Sequence, residues 1–406
     1  MERSNIGMIF DPNERKRTIM ILRLLFSGLI VFVCQLGCAQ VLLTGADQTH
    51  DYIPLLLDKK VGLVVNQTSM IQQTHLVDSL QNSGISILQI FAPEHGFRGH
   101  ADAGEFVKDG IDQKTGIGIT SLYGENKKPN PGQLADLDIV IFDIQDVGAR
   151  FYTYISTMHY IMEACAEEGV SVLILDRPNP NGHYVAGPVL DTAYRSFVGM
   201  HPIPIVHGLT VGELANMIND LGWLKNSVNC DLTVITCKNY SHNTPYILPI
   251  KPSPNLPNDL SIKLYPSLCL FEPTSVSVGR GTTNPFQIVG HPDLKEVYTF
   301  SFTPKSIEGM SKHPKHENTA CYGIDFSSLT DSSAKFSLQT LLDFNQLLPN
   351  NFITSPSFFN KLAGNDQLIN QLRDGVSLEL IEQSWEKDLT NYKRLRKQFL
   401  LYPDFE

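Results

Sequence analysis

Four short runs of nearly continuous apolar residues, at 61–65, 85–91, 138–143 and 170–175, are rich in Val and Ile. A strand buried on both faces reads this way, whereas a half-exposed strand alternates. Amphipathic stretches at 75–83, 157–168 and 211–221 lie between or after these runs. Strand alternating with helix predicts a doubly wound α/β domain on a parallel sheet. Segments 203–206 and 232–235 are expected to add strands, and Thr210 with Glu213 form the T-x-x-E pattern of a helix capping box.

The pattern breaks where Pro245, Pro249, Pro252, Pro254 and Pro257 crowd one stretch that suits neither a helix nor a central strand. That break divides the fold into an α/β domain over 40–245 and a smaller α+β domain over 246–406. The second is expected to hold short strands near 268–290 and 320–326 and helices at 338–348 and 378–399. Before the first domain, Arg15, Lys16, Arg17 and Arg23 precede an apolar run over 24–33, and Gly37-Cys38-Ala39 follows. This order predicts an export leader over 1–39, starting at Met1 or Met20. Soluble export is the leading expectation; Leu36-Gly37-Cys38 also resembles a lipoprotein processing site, which would put a lipid anchor on Cys38.

Composition then narrows the function. The 406 residues are 42% hydrophobic and 18% charged, a globular composition, and the net charge of −10 lacks the basic stripe that nucleic acid demands. Five basic and three acidic residues lie in 1–39, so the chain beyond the leader carries −12. Its five cysteines, Cys165, Cys230, Cys237, Cys269 and Cys321, include no C-x-x-C pair and read as buried small residues, with a Cys230–Cys237 bridge the one pairing considered.

In an open parallel sheet, ligands collect beyond the carboxyl ends of the strands. Those ends carry Asn66-Gln67-Thr68-Ser69, then Pro93-Glu94-His95-Gly96-Phe97-Arg98, then Asp143 to Tyr152, then Asp176-Arg177-Pro178-Asn179. Acids, arginines and amides are therefore gathered at one edge. No G-x-x-x-x-G-K-[ST] loop, dinucleotide fingerprint, G-x-S-x-G elbow or H-E-x-x-H pair accompanies them. Carboxylate chemistry without a metal or nucleotide cofactor is the reading that remains.

The segments FAPEHGFRG at 91–99, DIQDVGARFYTY at 143–154, LDRPNP at 175–180, HGLTVGELA at 207–215, SPNLP at 253–257 and VGRGTTNPF at 278–286 resemble the bacterial DUF1343 family. Its characterised members are exo-β-N-acetylmuramidases, which remove N-acetylmuramic acid from the non-reducing end of peptidoglycan fragments. The resemblance spans about 45 to 402 and implies a Rossmann-like domain, a smaller C-terminal domain and a cleft between them. Where family members often show Glu-Gly-Thr-Asn and Ser-Glu-Gly-Arg-Gly-Thr, here Pro273 follows Glu272 and Val278 precedes Gly279-Arg280. The family's second glutamate therefore has no counterpart to carry over.

Glycoside hydrolysis commonly needs one carboxylic acid to protonate the leaving oxygen and a second carboxylate as base or nucleophile. Glu94 is the candidate acid, chiefly through the resemblance, and it follows a buried strand in an apolar loop; pairing with Arg98 is its structural alternative. Asp143, Asp146 and Glu272 are equal candidates for the second carboxylate, which would only orient the substrate if its own acetamido group attacks. Arg98, Arg150, Arg177 and Arg280 suit the lactyl carboxylate of a muramic acid, because guanidinium grips carboxylate in a fork. For Arg150 and Arg177, pairing with neighbouring aspartates is the stronger expectation. Arg280 is the leading ligand candidate, its flanking glycines being read as a loop open to substrate. Asn66, His95, Gln145, Tyr152 and Asn179 complete the candidate substrate contacts.

Overall fold

The computed structural model describes residues 41–94, 96–97, 109–124, 126–329, 334–350 and 352–406. The leader, His95 and Arg98 lie outside them. In chain order the α/β part contains β1 (Lys60–Val65), a hairpin of β2 (Met70–Ile71) and β3 (Thr74–His75), β4 (Ser86–Ala92), β5 (Gly110–Ile111) and β6 (Gly118–Ser121). It continues through β7 (Ile139–Asp143), β8 (Ser171–Leu175), β9 (Ala186–Val189), β10 (Pro204–Val206) and β11 (Leu232–Ile235).

Seven of these form one sheet in the order β11-β8-β7-β1-β4-β6-β5, parallel except for the β5–β6 pair. Along the six parallel strands this is the doubly wound order, reversing between β1 and β7. The apolar runs are continuous because both faces are covered. Val61, Leu63, Val65, Ile139, Ile141, Leu173 and Leu175 enter one apolar cluster, while Val64, Val140, Phe142, Val172 and Ile174 enter another. Alternate residues of each strand thus feed opposite layers.

The predicted helices form as Leu76–Asn82, Tyr154–Glu168 and Val211–Asp220. The third begins with the expected reciprocal cap: Thr210 Oγ1 accepts from the Glu213 amide at 3.2 Å and Glu213 Oε2 from the Thr210 amide at 2.8 Å. Three expectations change. Segment 203–206 is a strand, but it pairs antiparallel with β9 outside the main sheet. The pair β5–β6 extends the main sheet from a stretch too polar and glycine-rich to read as strand. Cys230 and Cys237 form no bridge; both are buried free thiols, and Cys237 Sγ donates to the Asp176 carbonyl at 3.3 Å.

Beyond the prolines comes a helix, Asp259–Leu268, that the sequence reading missed because Pro266 lies inside it. Asn258 and Ser261 box its start. A small antiparallel sheet follows in the order β12-β14-β13, from β12 (Ile288–His291), β13 (Phe300–Phe302) and β14 (Cys321–Asp325). Before β12 the 268–290 stretch holds no named strand: the helix ends at Leu268, a 3-10 turn covers Cys269–Phe271, and loops follow. Helices Gln339–Leu347 and Leu378–Arg396 occupy the two predicted positions, with Pro356–Ala363 and Gln367–Arg373 between them. Residues Leu43–Glu406 form one compact unit, and the end of the chain returns to the α/β part. There the Tyr402 hydroxyl donates to Asp176 and the Leu401 amide to Glu213.

Candidate active site

The gathered strand ends largely satisfy one another. Arg177 grips Asp143 with Nε at 2.6 Å and Nη2 at 2.9 Å, both residues being buried. Burial works against the Arg177 charge, and Asp143 outweighs it, holding the guanidinium above its ordinary pKa. At the strand-order reversal the β1 and β7 loops are stitched together: Asn66 Oδ1 accepts from Thr68 Oγ1 at 2.6 Å, Gln145 N donates to Thr68 Oγ1 at 3.0 Å, and Ser69 Oγ donates to the Asp143 carbonyl. Gln145 spends its Nε2 on the Asp146 and Pro178 carbonyls, each at 2.8 Å. Asn179 bridges the Leu209 carbonyl and the Asn181 amide.

These contacts tie many of the candidate residues to protein partners. For Arg177 the aspartate pairing is the one expected. Asp143, Asn66, Gln145, Arg177 and Asn179 are buried, and none lines the cavity onto which Glu94 opens. Asp146 is also buried away from it, its Oδ2 accepting from the Gly148 amide at 2.7 Å with His207 Nε2 3.8 Å away. Arg150 pairs with no aspartate. It donates to the carbonyls of Pro188, Ile203, Leu362 and Ala363, each at 2.8 Å, and burial pulls its pKa down to about 9. Side chains at a strand end turn inward when the first residues of the next helix roof them over.

One cavity, of about 200 Å³, lies to one side between the β4 and β7 loops and the second domain. The α/β part contributes Glu94, Phe151, Tyr152, Thr153 and Tyr154, and the C-terminal part contributes Asn255, Tyr265, Cys269, Glu272, Arg280 and Phe286 among others. Glu94 is half-buried, with its carboxylate accepting from Thr153 Oγ1 at 3.4 Å and its carbonyl from the Tyr154 hydroxyl at 3.4 Å. The Tyr123 hydroxyl bonds the same carboxylate; burial, then the Glu94 charge, push that phenol up to about 12, so it stays a donor. Sequence reasoning passed over Tyr123 and Thr153, whose meeting with Glu94 depends on three separate loops.

Glu272 and Arg280 come together as a pair, Nε to Oε1 at 2.9 Å, each about a quarter exposed at 27% and 25% for the arginine and glutamate side chains. Arg280 also lies over the Phe286 ring at 5.0 Å. Its flanking glycines do not open the loop to a ligand, contrary to the expectation. Gly279 and Gly281 have φ of +77° and +80°, and a Cβ there would meet Ile288 Cγ1 and the Lys305 carbonyl, each at 2.5 Å. They let the loop turn tightly against protein, which aims Arg280 into the cavity. Tyr152 lines the wall, with its hydroxyl committed to the Pro252 carbonyl at 2.8 Å.

The chain matches two family models: the N-terminal part of the exo-β-N-acetylmuramidase NamZ over residues 61–260 and the C-terminal part over 263–402. It is 40% identical over 386 residues to the peptidoglycan β-N-acetylmuramidase NamZ of Bacillus subtilis (strain 168), covering 88% of this chain and 91% of that one. Two crystal structures of DUF1343 family proteins from Bacteroides fragilis share the fold. One has TM-score 0.83 at 47% identity, over 90% of this chain and 100% of the other. The second has TM-score 0.77 at 27% identity, over 89% and 99%. With both family models in chain order over nearly all of Leu43–Glu406, this chain belongs to the exo-β-N-acetylmuramidase NamZ family.

Proposed function

We propose that this chain is an exo-acting glycosidase that releases non-reducing terminal β-1,4-linked N-acetylmuramic acid from peptidoglycan fragments, in cell-wall turnover or salvage. The observation that carries the reading is the cavity in which Glu94, alone among the acids of the described strand ends, meets the Glu272–Arg280 pair within aromatic walls. Glu94 serves as the acid that protonates the leaving oxygen, with Tyr123 and Thr153 positioned to hold the carboxylate left behind. Glu272 is the second carboxylate in reach of the same space. Arg280 supplies the cation for the lactyl carboxylate, since Glu272 engages its Nε edge and the terminal nitrogens carry further donors.

The mature protein acts outside the cytoplasm, on the strength of the basic-apolar-small order of residues 15–39. N-terminal sequencing of the processed protein is expected to begin after Ala39, and a lipidated Cys38 at the terminus would replace soluble export by anchoring. The activity test pairs a chromogenic β-N-acetylmuraminide with the matching glucosaminide, with EDTA present and absent. Cleavage of the muraminide alone, unaffected by EDTA, is expected. Binding without turnover would make the protein a muropeptide-binding module, and equal cleavage of the two glycosides would remove the lactyl group from recognition.

A further inference from the structure

Lys315, in the loop between β13 and β14, reaches the turn that carries Glu272. Its Nζ donates to the carbonyls of Thr274, Val276 at 2.9 Å, Glu272 at 3.3 Å and Phe271 at 3.4 Å. An ammonium brings three protons and no acceptor, which suits a cage of carbonyls, whereas a neutral amine would turn a lone pair on them. The cage therefore holds the charged form. Burial lowers the Lys315 pKa, the Glu272 charge opposes that and the Arg280 charge adds to it, so the ammonium lies in the field of both members of the cavity pair. The same loop braces the two turns that carry the pair: His316 Nε2 donates to the Ser275 carbonyl at 2.6 Å, and the Lys305 amide to the Gly281 carbonyl at 2.8 Å.

The charges at this place do not sum to zero. Among the described residues that line the cavity, only Glu94, Glu272 and Arg280 are of charged types, and Glu94, as the acid, enters the reaction protonated. Glu272 and Arg280 cancel as a pair, and a carboxylate drawn to the arginine is repelled by the glutamate beside it. Lys315 has carbonyl partners, which solvate its charge without cancelling it. Resting on the reading of Arg280 as the cation for the lactyl carboxylate, we propose that Lys315 is a specificity-determining residue: it leaves the Glu272–Arg280–Lys315 group with one net positive charge and so lets that group attract an anionic sugar substituent. Its ammonium makes no contact with substrate. It acts through its field, which burial leaves less screened than that of a surface lysine.

The test is a cycle between protein charge and ligand charge, read as binding rather than turnover. Methyl β-N-acetylmuraminide and its lactamide, in which a neutral carboxamide replaces the carboxylate, are titrated calorimetrically into wild type, Lys315→Gln, Lys315→Met and Lys315→Arg, each checked for folding by thermal melting. Wild type should prefer the acid. Lys315→Gln keeps donors for the carbonyls and loses the charge; it and Lys315→Met should bind the acid about fivefold more weakly and the amide as wild type does. Lys315→Arg, which keeps the charge, should recover most of the loss. An acid preference that survives in Lys315→Gln overturns the proposal and leaves the lysine a staple of the 271–276 turn. So does a loss that Lys315→Arg shares, an equal weakening of both ligands, or neutral variants that do not fold. Absence of an acid preference in wild type would instead defeat the reading of Arg280, and this inference with it; failure of wild type to bind either ligand would defeat the glycosidase reading itself.

Discussion

Glu94 is the strand-end acid that opens onto the cavity, where the Thr153 and Tyr123 hydroxyls reach its carboxylate. Glu94→Gln keeps the shape and removes the titrating proton, so kcat on the natural disaccharide should fall about 10²–10⁴-fold with KM nearly unchanged. Turnover near wild type in that variant would remove Glu94 from the acid's role. Arg280→Ala should lower kcat/KM for the muraminide by roughly 10–150-fold, the worth of a charge-assisted hydrogen bond, mainly through KM. Arg280→Lys should restore part of it, because an ammonium cannot form the fork. A second titratable site lies elsewhere in the molecule: His159 Nδ1 contacts His201 Nε2 at 3.0 Å, and His159 Nε2 lies 3.5 Å from Glu163, which Lys128 also holds. Burial is the main cause that brings His159 down to about 4, and it depresses His201 as well. The unfolded chain binds the proton near 6.5, so between about pH 6.5 and 4 it holds more protons than the folded one and stability falls as pH falls, by up to roughly 3 kcal/mol for His159. Asp176, which burial raises to about 6, works in the opposite direction between about pH 4 and 6. Urea unfolding of wild type and His159→Gln at pH 7 and 5 separates the histidine from Asp176, whose contribution cancels in the difference: the variant should lose less stability on acidification, and an equal loss would place its origin elsewhere.

At the scale of elements, the proline-rich stretch that reads as a boundary is a wall of the site. Pro252 to Leu256 can serve this way because a chain without regular hydrogen bonding needs outside partners for its carbonyls, and the α/β part supplies them. Gln67 Nε2 donates to the Lys251 and Pro252 carbonyls at 3.3 and 3.1 Å, and Tyr152 adds its hydroxyl. Gln67 lies outside the cavity lining, so Gln67→Ala loosens the wall without touching substrate. Steady-state kinetics should show KM raised a few-fold with kcat little changed, and Tyr152→Phe should act in the same direction. An unaltered KM in both variants would mean that the prolines alone hold the wall.

For the whole molecule, Arg150 is the clearest case of a charge used as structure. It ties the β9–β10 hairpin to the end of helix Pro356–Ala363 through carbonyls separated by up to 213 residues from it in sequence. Arg150→Met removes a donor from all four carbonyls, of which that of Ile203 keeps the Leu190 amide, and each buried acceptor left unpaired costs about 1–3 kcal/mol. Unfolding free energy should drop by several kcal/mol, while KM per folded molecule stays at the wild-type value. A variant of normal stability with a raised KM would return Arg150 to the substrate. The end of the chain adds a further tie, Arg396 donating to the Gly208 carbonyl and to Asp404, so the smaller domain is fastened at both its entry and its exit.

The doubly wound sheet was legible because burial on both faces writes itself into consecutive residues: the runs at 61–65 and 138–143 are short and rich in Val and Ile, which suits central strands rather than helices. The Thr210–Glu213 cap was legible for the same local reason, since its partners are three residues apart. Glu94 emerged from its motif. What the residues could not announce was which polar groups at the strand ends would be consumed by each other. Asp143 and Arg177 are 34 residues apart, and their fork depends on two neighbouring strands ending level. Nor could a local pattern show that Glu272 would meet Arg280 in the same cavity as Glu94. Local pattern determined the elements; which side chains face the cavity and which are tied into the scaffold was decided by tertiary packing, because a polar group's role depends on whether the fold brings it a partner.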